Sequence, residues 1–457
     1  MCSDAPLWHL QQHELKLITG TFILPAGRLG DVYGHKKLFV LGWLCFSLFS
    51  LLAGFSVYVT PGTQGSKFFN VMRALQGIGP AVLLPNAIAI LGRTYNPGKR
   101  KNMVFSLFGA TAPGGATVGA VFSALLAELA WWPWAFWIMA ITTFLMAILS
   151  VFVIPRIAAD GDETTLTKSY TNWKSLWTRL DMNGTLTGVI GLILINIAWN
   201  QAPIIGWLKP YVYVLLIVGF LFMFAFFFIE YSAPHPLIPI RNIGRDVAFV
   251  LGCMAFGWSS FGIWLFYLWQ IILVLRGQTP LLASAEFSPP AISGFCAAVT
   301  TGLLLHKLGP GVIMLFAMIA FCIGNILLAT VPVSQTYWAQ TFVSLVVMPW
   351  GMDMSFPSAT IILSNSMPRE HQGMAASLVT TVVNYSISLG LGFAGTVEGR
   401  ILADGGTTLQ GYRSAWYMGI GLAALGIIVA LAFNAVGYLG REGERMGERA
   451  KKSETSA

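Results

Sequence analysis

The chain alternates long apolar runs with short polar, charged loops. From Leu38 to Thr60 there is not one charged residue. Further runs of membrane length cover 67–92, 102–127, 133–155, 184–202, 210–230, 248–275, 286–306, 310–331, 338–363, 373–397 and 414–439. About 20 apolar residues cross a bilayer as a helix, so each run is read as one span. A shorter run, Leu15 to Leu29, carries Lys16 and precedes a glycine-punctuated loop, Gly27 to Lys37. Counting it gives thirteen spans and an all-α polytopic bundle. Pro80, Pro85, Pro113, Pro349 and Pro357 interrupt spans, which is tolerated where neighbouring helices satisfy the freed backbone groups.

If the spans alternate, Arg28, Lys36, Lys37 and seventeen other Lys and Arg residues fall on one side and five on the other. The basic loops belong to the cytoplasmic side, which puts the C-terminus there too. The net charge of +8 and pI of 9.3 thus express topology. No basic run interleaved with aromatics supports a nucleic-acid partner. The chain is 56% hydrophobic and 10% charged with a mean hydropathy of +0.69, far from the roughly 25% charge of soluble domains. The five cysteines have neither metal nor disulfide spacing. There is no phosphate-binding Walker loop, nucleophile elbow or zinc-binding His/Glu motif, so neither direct ATP drive nor an enzyme is indicated.

Two sets of positions repeat. Gly27, Asp31 and Gly34 recur as Gly302, His306 and Gly309, an offset of 275, while Gly79 and Pro85 recur as Gly351 and Pro357, an offset of 272. Repeat-built transporters place their site near the midplane between such halves. The organisation read from this is a first half over 1–155, a linker with two extra spans over 156–247, a second half over 248–440 and a tail over 441–457.

The loop Gly27 to Lys37, together with Arg73-Ala74-Leu75-Gln76-Gly77, resembles signatures of the major facilitator superfamily, and in particular of its fourteen-span drug:proton antiporters. The fifth-span antiporter motif is partly matched by Gly109, Pro113, Gly114, Gly115 and Gly119. Trp350 to Pro357 and Asn384 to Gly390 resemble the fungal branch with the aminotriazole-resistance and boron-export proteins. Against that pattern the first span is missing and the second short, so an N-terminal truncation is expected. The resemblance implies a small-molecule exporter in the lipid bilayer, a monomer at the plasma membrane, driven by protons with no cofactor. An importer or symporter, or a non-transporting truncated membrane protein, are the alternatives.

Candidate residues follow. Asp31 precedes a helix expected near Leu38, with Arg28, Lys36 and Lys37 close by; the resemblance implies a conformational latch of Gly27, Asp31 and Gly34 with these cations. Its counterpart in the second half has lost the acid at His306. Arg73 lies inside an apolar run, where a charge is costly, and the resemblance links it to proton transfer. Asp353 is a lone mid-span carboxylate, to be protonated or paired, and a proton or substrate site. Pro113, Gly114 and Gly115, with Gly109 and Gly119, read as a bending site, which the resemblance implies is the exporter's hinge, with plain small-residue packing as the alternative. Asn86, Trp264 and Asn384 are candidates for the substrate cavity, and the other span asparagines for hydrogen bonds between helices.

Overall fold

The computed structural model describes residues 20–59, 63–155, 177–234, 236–238, 244–367 and 372–454. Among them every regular element is helical. In chain order these are α1 (described over 20–33), α2 (His35–Phe55), α3 (Thr63–Gln76), α4 (Ile78–Thr94), α5 (Lys99–Leu129), α6 (Pro133–Val153), α7 (Met182–Ile205) and α8 (Pro210–Ser232). There follow α9 (Arg245–Gln270), α10 (Pro280–Glu286), α11 (Pro289–Leu308), α12 (Pro310–Thr330), α13 (Gln340–Ser366), α14 (Gln372–Ala403) and α15 (Thr408–Glu454).

Eleven segments of the described chain are long and apolar enough to cross a membrane, against thirteen expected. One difference is the short first span, whose start lies outside the described residues. The other is α13, which is helical as expected but too polar to pass as a span. Its Thr341, Ser344, Asp353, Ser355, Ser358, Thr360 and Ser364 are all buried, so α13 is enclosed by protein and need not be apolar towards lipid.

One expectation is corrected. The organising segment is not an open loop: α1 runs through Tyr33, and only Gly34, at φ 95°, separates it from α2, which starts at His35. The expected span 67–92 is one membrane-length segment, Gly65–Thr94, in which the helix breaks at Gly77 ahead of Pro80. Beyond Gly440, α15 runs on as helix to Glu454, which leaves the expectation of a charged tail there as it was.

The repeat is structural. Gly309, at φ 76°, separates α11 from α12 as Gly34 separates α1 from α2, a backbone region that favours glycine. Gly79 of α4 packs against Phe46 of α2, and Gly351 of α13 packs against Phe321 of α12. Phe46 and Phe321 are themselves 275 positions apart. In the first half α2 packs on α4 and α6; in the second, α12 packs on α13 and α15. The main hydrophobic core sits in the second half, around Trp264, Tyr267, Phe321 and Trp416. α7 and α8 form a hairpin that rests on α14. α5 crosses over to pack on α11 and α13.

Candidate functional site

The halves meet at both ends and midway between. The first of these places is at the end carrying the basic loops. Asp31 is the acceptor of a compact lock: its Oδ1 takes hydrogen bonds from Arg93 Nη2 at 3.1 Å and from the backbone N–H of Gly373 at 3.2 Å. His35 Nε2 lies 3.2 Å away. Gly373 is in the first turn of α14, where N–H groups lack helical partners and favour an anion. Gly27 and Gly373 let α1 and α14 touch backbone to backbone, since a Cβ on either would collide with the other's carbonyl oxygen. The Asp31 side chain is 5% exposed.

The repeat supplies a second arm. Adding 272 to Arg93 gives Asn365, and to Lys101 gives Gly373. In the structure Lys101 Nζ donates to Asn365 Oδ1 at 3.2 Å. The start of α5 is thus held by the end of α13 as the start of α14 is held by Asp31 and the end of α4. His306, at the place of Asp31, is exposed and takes no part.

Of the expected latch residues, Gly27, Asp31 and Gly34 sit at this lock. The cations distribute differently from expectation. Lys36 Nζ donates to the carbonyls of Val151 and Ile154, capping the end of α6. Lys37 points outward and is exposed. Arg28 Nε donates to the Arg179 carbonyl at 3.0 Å and its Nη1 to Met374 Sδ at 3.7 Å. The direct ion pair of Asp31 is with Arg93, which sequence reasoning counted only as a basic loop residue, while Arg28 is near enough to feel its charge.

Asn86 does not line a cavity. It is fully buried, its Oδ1 2.7 Å from His35 Nδ1 and its Nδ2 donating to the Val82 carbonyl at 2.7 Å, which fixes the imidazole beneath the lock. Trp264 likewise belongs to the core of the second half, 1% exposed, with Nε1 donating to Ser344 Oγ at 2.7 Å. Asn384 is half-buried on α14 beside Gly20, donating to the Thr380 carbonyl at 2.9 Å.

The second place is midway along α5, α11 and α13. Asp353 on α13 is 2% exposed. Its Oδ2 is against Gly294 of α11, and its Oδ1 is 3.7 Å from where a Cβ of Gly109 on α5 would sit. Pro113 closes on Gly294 from the α5 side, and Pro357 lies against Gly109. Oδ2 is buried without a hydrogen-bond partner, and no ion pair among the described residues reaches Asp353. A carboxylate is therefore held at the seam between the halves, walled by two glycines and two prolines. α5 runs unbroken through Pro113; Gly114, Gly115 and Gly119 have open space where side chains would be.

Arg73 is not brought to Asp353. It donates to Gln76 Oε1, Gln76 donates to Ser50 Oγ, and its guanidinium lies 5.4 Å over the Phe136 ring. At the end opposite the lock, Glu128 of α5 accepts from the backbone N–H of Leu281 at 3.0 Å, and Ser284 Oγ donates to the Ala120 carbonyl at 3.3 Å. The asparagines read as interhelical bonds act so: Asn196 Nδ2 donates to Ser388 Oγ at 2.7 Å and Asn325 Nδ2 to Ser260 Oγ at 2.8 Å.

The chain matches the family model described as Major Facilitator Superfamily over residues 17–265 and 247–456. It is 62% identical over 417 residues to a low affinity ammonium transporter of Saccharomyces cerevisiae, an alignment covering 91% of this chain and 79% of that protein. It is 51% identical over 417 residues to efflux pump terJ of Aspergillus terreus, covering 91% and 78%. Both relatives are fungal, as the resemblance in the motifs implies. Among solved structures, the proton:xylose symporter XylE superposes with a TM-score of 0.61 at 13% identity, covering 93% of this chain and 86% of that one, which is a likeness of fold.

Proposed function

The chain belongs to the major facilitator superfamily and is a membrane transporter rather than an enzyme, and from that premise we propose that it exports a small molecule in exchange for protons by alternating access. The observation that carries this reading is Asp353, a buried carboxylate at the crossing of α5, α11 and α13 with one oxygen unpartnered. Such a group, at a seam that must open alternately to either side, takes a proton from one side and yields it to the other. The lock at Asp31, Arg93 and Gly373 closes one face, and Glu128 against Leu281 closes the other. The likeness to an efflux pump supports export. In this reading the basic loops and the end of α15 are cytoplasmic, the protein is a monomer of the plasma membrane, and a proton gradient drives it without a cofactor.

A second reading concerns the cargo. Identity of 62% to a low affinity ammonium transporter makes ammonium a competitor to an amphipathic organic compound, and a carboxylate suits a small cation as well as a proton. Purified protein in liposomes under an imposed pH gradient tests both. Gradient-dependent movement of a labelled organic toxin supports the first, and of labelled methylammonium the second. Uptake down its own gradient, unaffected by pH, would contradict proton exchange.

A further inference from the structure

The hairpin of α7 and α8 carries a feature that the transport reading leaves unused. Asp181, the residue before α7, has φ 42°, in the left-handed region. That backbone folds its side chain over the first turn, where Oδ1 accepts from the Gly184 N–H at 3.2 Å. Glu230, in the last turn of α8, accepts from the Ile238 N–H through Oε2 at 3.1 Å. The side chains are 7% and 2% exposed, and Asp181 Oδ2 and Glu230 Oε1 are buried without a partner. These two orphan oxygens border one point, because a Cβ on Gly184 would collide with both.

Two buried acceptors facing each other repel, and each is left without the donor that a buried carboxylate oxygen needs. A single proton turns one carboxyl into an O–H donor for the other and satisfies both. Among the described residues, Arg28 of α1 lies within reach of the charges of Asp181 and Glu230 as well as those of Asp31 and Arg179. Arg28 faces both acids while bound to the Arg179 carbonyl and to Met374 at the start of α14. Asp181 also lines a cleft of about 290 Å³ with Met182, Asn183, Ile229 and Pro234, which gives water a route to the pair.

We propose that Asp181 and Glu230 form a proton-binding site at the foot of the α7–α8 hairpin, separate from Asp353, that acts on the lock through Arg28. When the proton leaves, the pair gains a second negative charge. Arg28 is then drawn towards the hairpin and away from Met374, and the hold of α1 on α14 loosens. The inserted hairpin thereby reports the proton concentration at its own end of the molecule to the contact that closes that end. This coupling to opening rests on the alternating-access reading; the proton site does not.

Infrared difference spectroscopy of the purified full-length chain across a pH titration tests the site without transport. The wild type is expected to show the carbonyl band of a protonated carboxylic acid that Asp181→Asn and Glu230→Gln both remove and Asp353→Asn leaves. The two amides supply the missing N–H donor, so folding is expected to persist. The exchange variant Asp181→Glu/Glu230→Asp keeps the band. In spin-label distances across the lock, Glu230→Gln is expected to abolish the pH dependence of opening and the exchange variant to keep it. A band unchanged in both amide variants overturns the site. A lost band with pH-dependent opening intact overturns the coupling to the lock. Should the Asp181 and Glu230 variants fail to fold, absence of that band from the titration of Asp353→Asn overturns the site as well.

Discussion

Asp31 and Gly373 are 342 residues apart in sequence and 3.2 Å apart in space, the carboxylate of one receiving the backbone N–H of the other. The bond joins the first half to the second at a helix start, and the same Oδ1 also accepts from Arg93, so both bonds are charge-assisted by the carboxylate. Asp31→Asn keeps the shape and removes the charge. Hydrogen bonds to charged groups contribute about 1.5–3 kcal/mol, so the open-to-closed ratio at this end is expected to rise by roughly 10- to 100-fold. Spin labels at Tyr33 and Leu308, both exposed at that end and on opposite halves, report the shift as a longer distance.

Lys101 and Asn365 form the weaker arm, a cation on an amide where the other arm has a cation on a carboxylate. Asn365→Asp is expected to strengthen it and lengthen the closed state, lowering turnover at unchanged stability. Lys101→Met added to Asn365→Asp leaves the new acid without its cation and is expected to reverse the closure. The two variants move the same label pair in opposite directions.

The spans, the repeat and the halves are legible in the sequence because apolar length and glycine spacing are local signals. The lock is half legible. Gly27, Asp31 and Gly34 stand out by spacing, but their partners Arg93 and Gly373 are set by helix packing across 62 and 342 residues. The repeat offset holds one usable signal: it pairs Arg93 with Asn365 and Gly373 with Lys101, and all four take part in the contacts at that end. Asn86 and Trp264, both enclosed by neighbouring helices in this structure, mark a physical limit of that reading. A polar or aromatic residue in a span looks alike whether it faces a cavity or a neighbouring helix, and only burial tells the cases apart. Composition gave no hint of the Asp181–Glu230 pair either, because the two are brought together by the turn of α7 onto α8.

Trp264 is expected to matter for stability rather than for substrate range. Trp264→Ala opens a cavity in the second half and is expected to cost about 3–5 kcal/mol, whereas Trp264→Phe loses mainly the bond to Ser344 and costs about 1 kcal/mol. Thermal melts in detergent read the difference, with the substrate profile of Trp264→Phe unchanged.

Tyr337 lies between α12 and α13, and its O–H donates to the Glu286 carbonyl at 2.7 Å. Burial, and then the charge of Glu286, push its phenol up to about 12 from an ordinary value of 10.0. Between these values the unfolded chain ionises and the folded one does not. Stability from this group is therefore intact below pH 10 and is lost as the pH rises through about 12. Tyr337→Phe is expected to flatten that slope in melts taken over the same range.

The most direct measurement is proton-driven transport by Asp353→Asn in liposomes, set beside its binding of the same substrate. With Asp353 as the group that takes and yields the proton, the variant still binds and exchanges substrate but no longer accumulates it against a gradient when a pH difference is imposed. Accumulation at the wild-type level with the wild-type pH dependence would contradict the account.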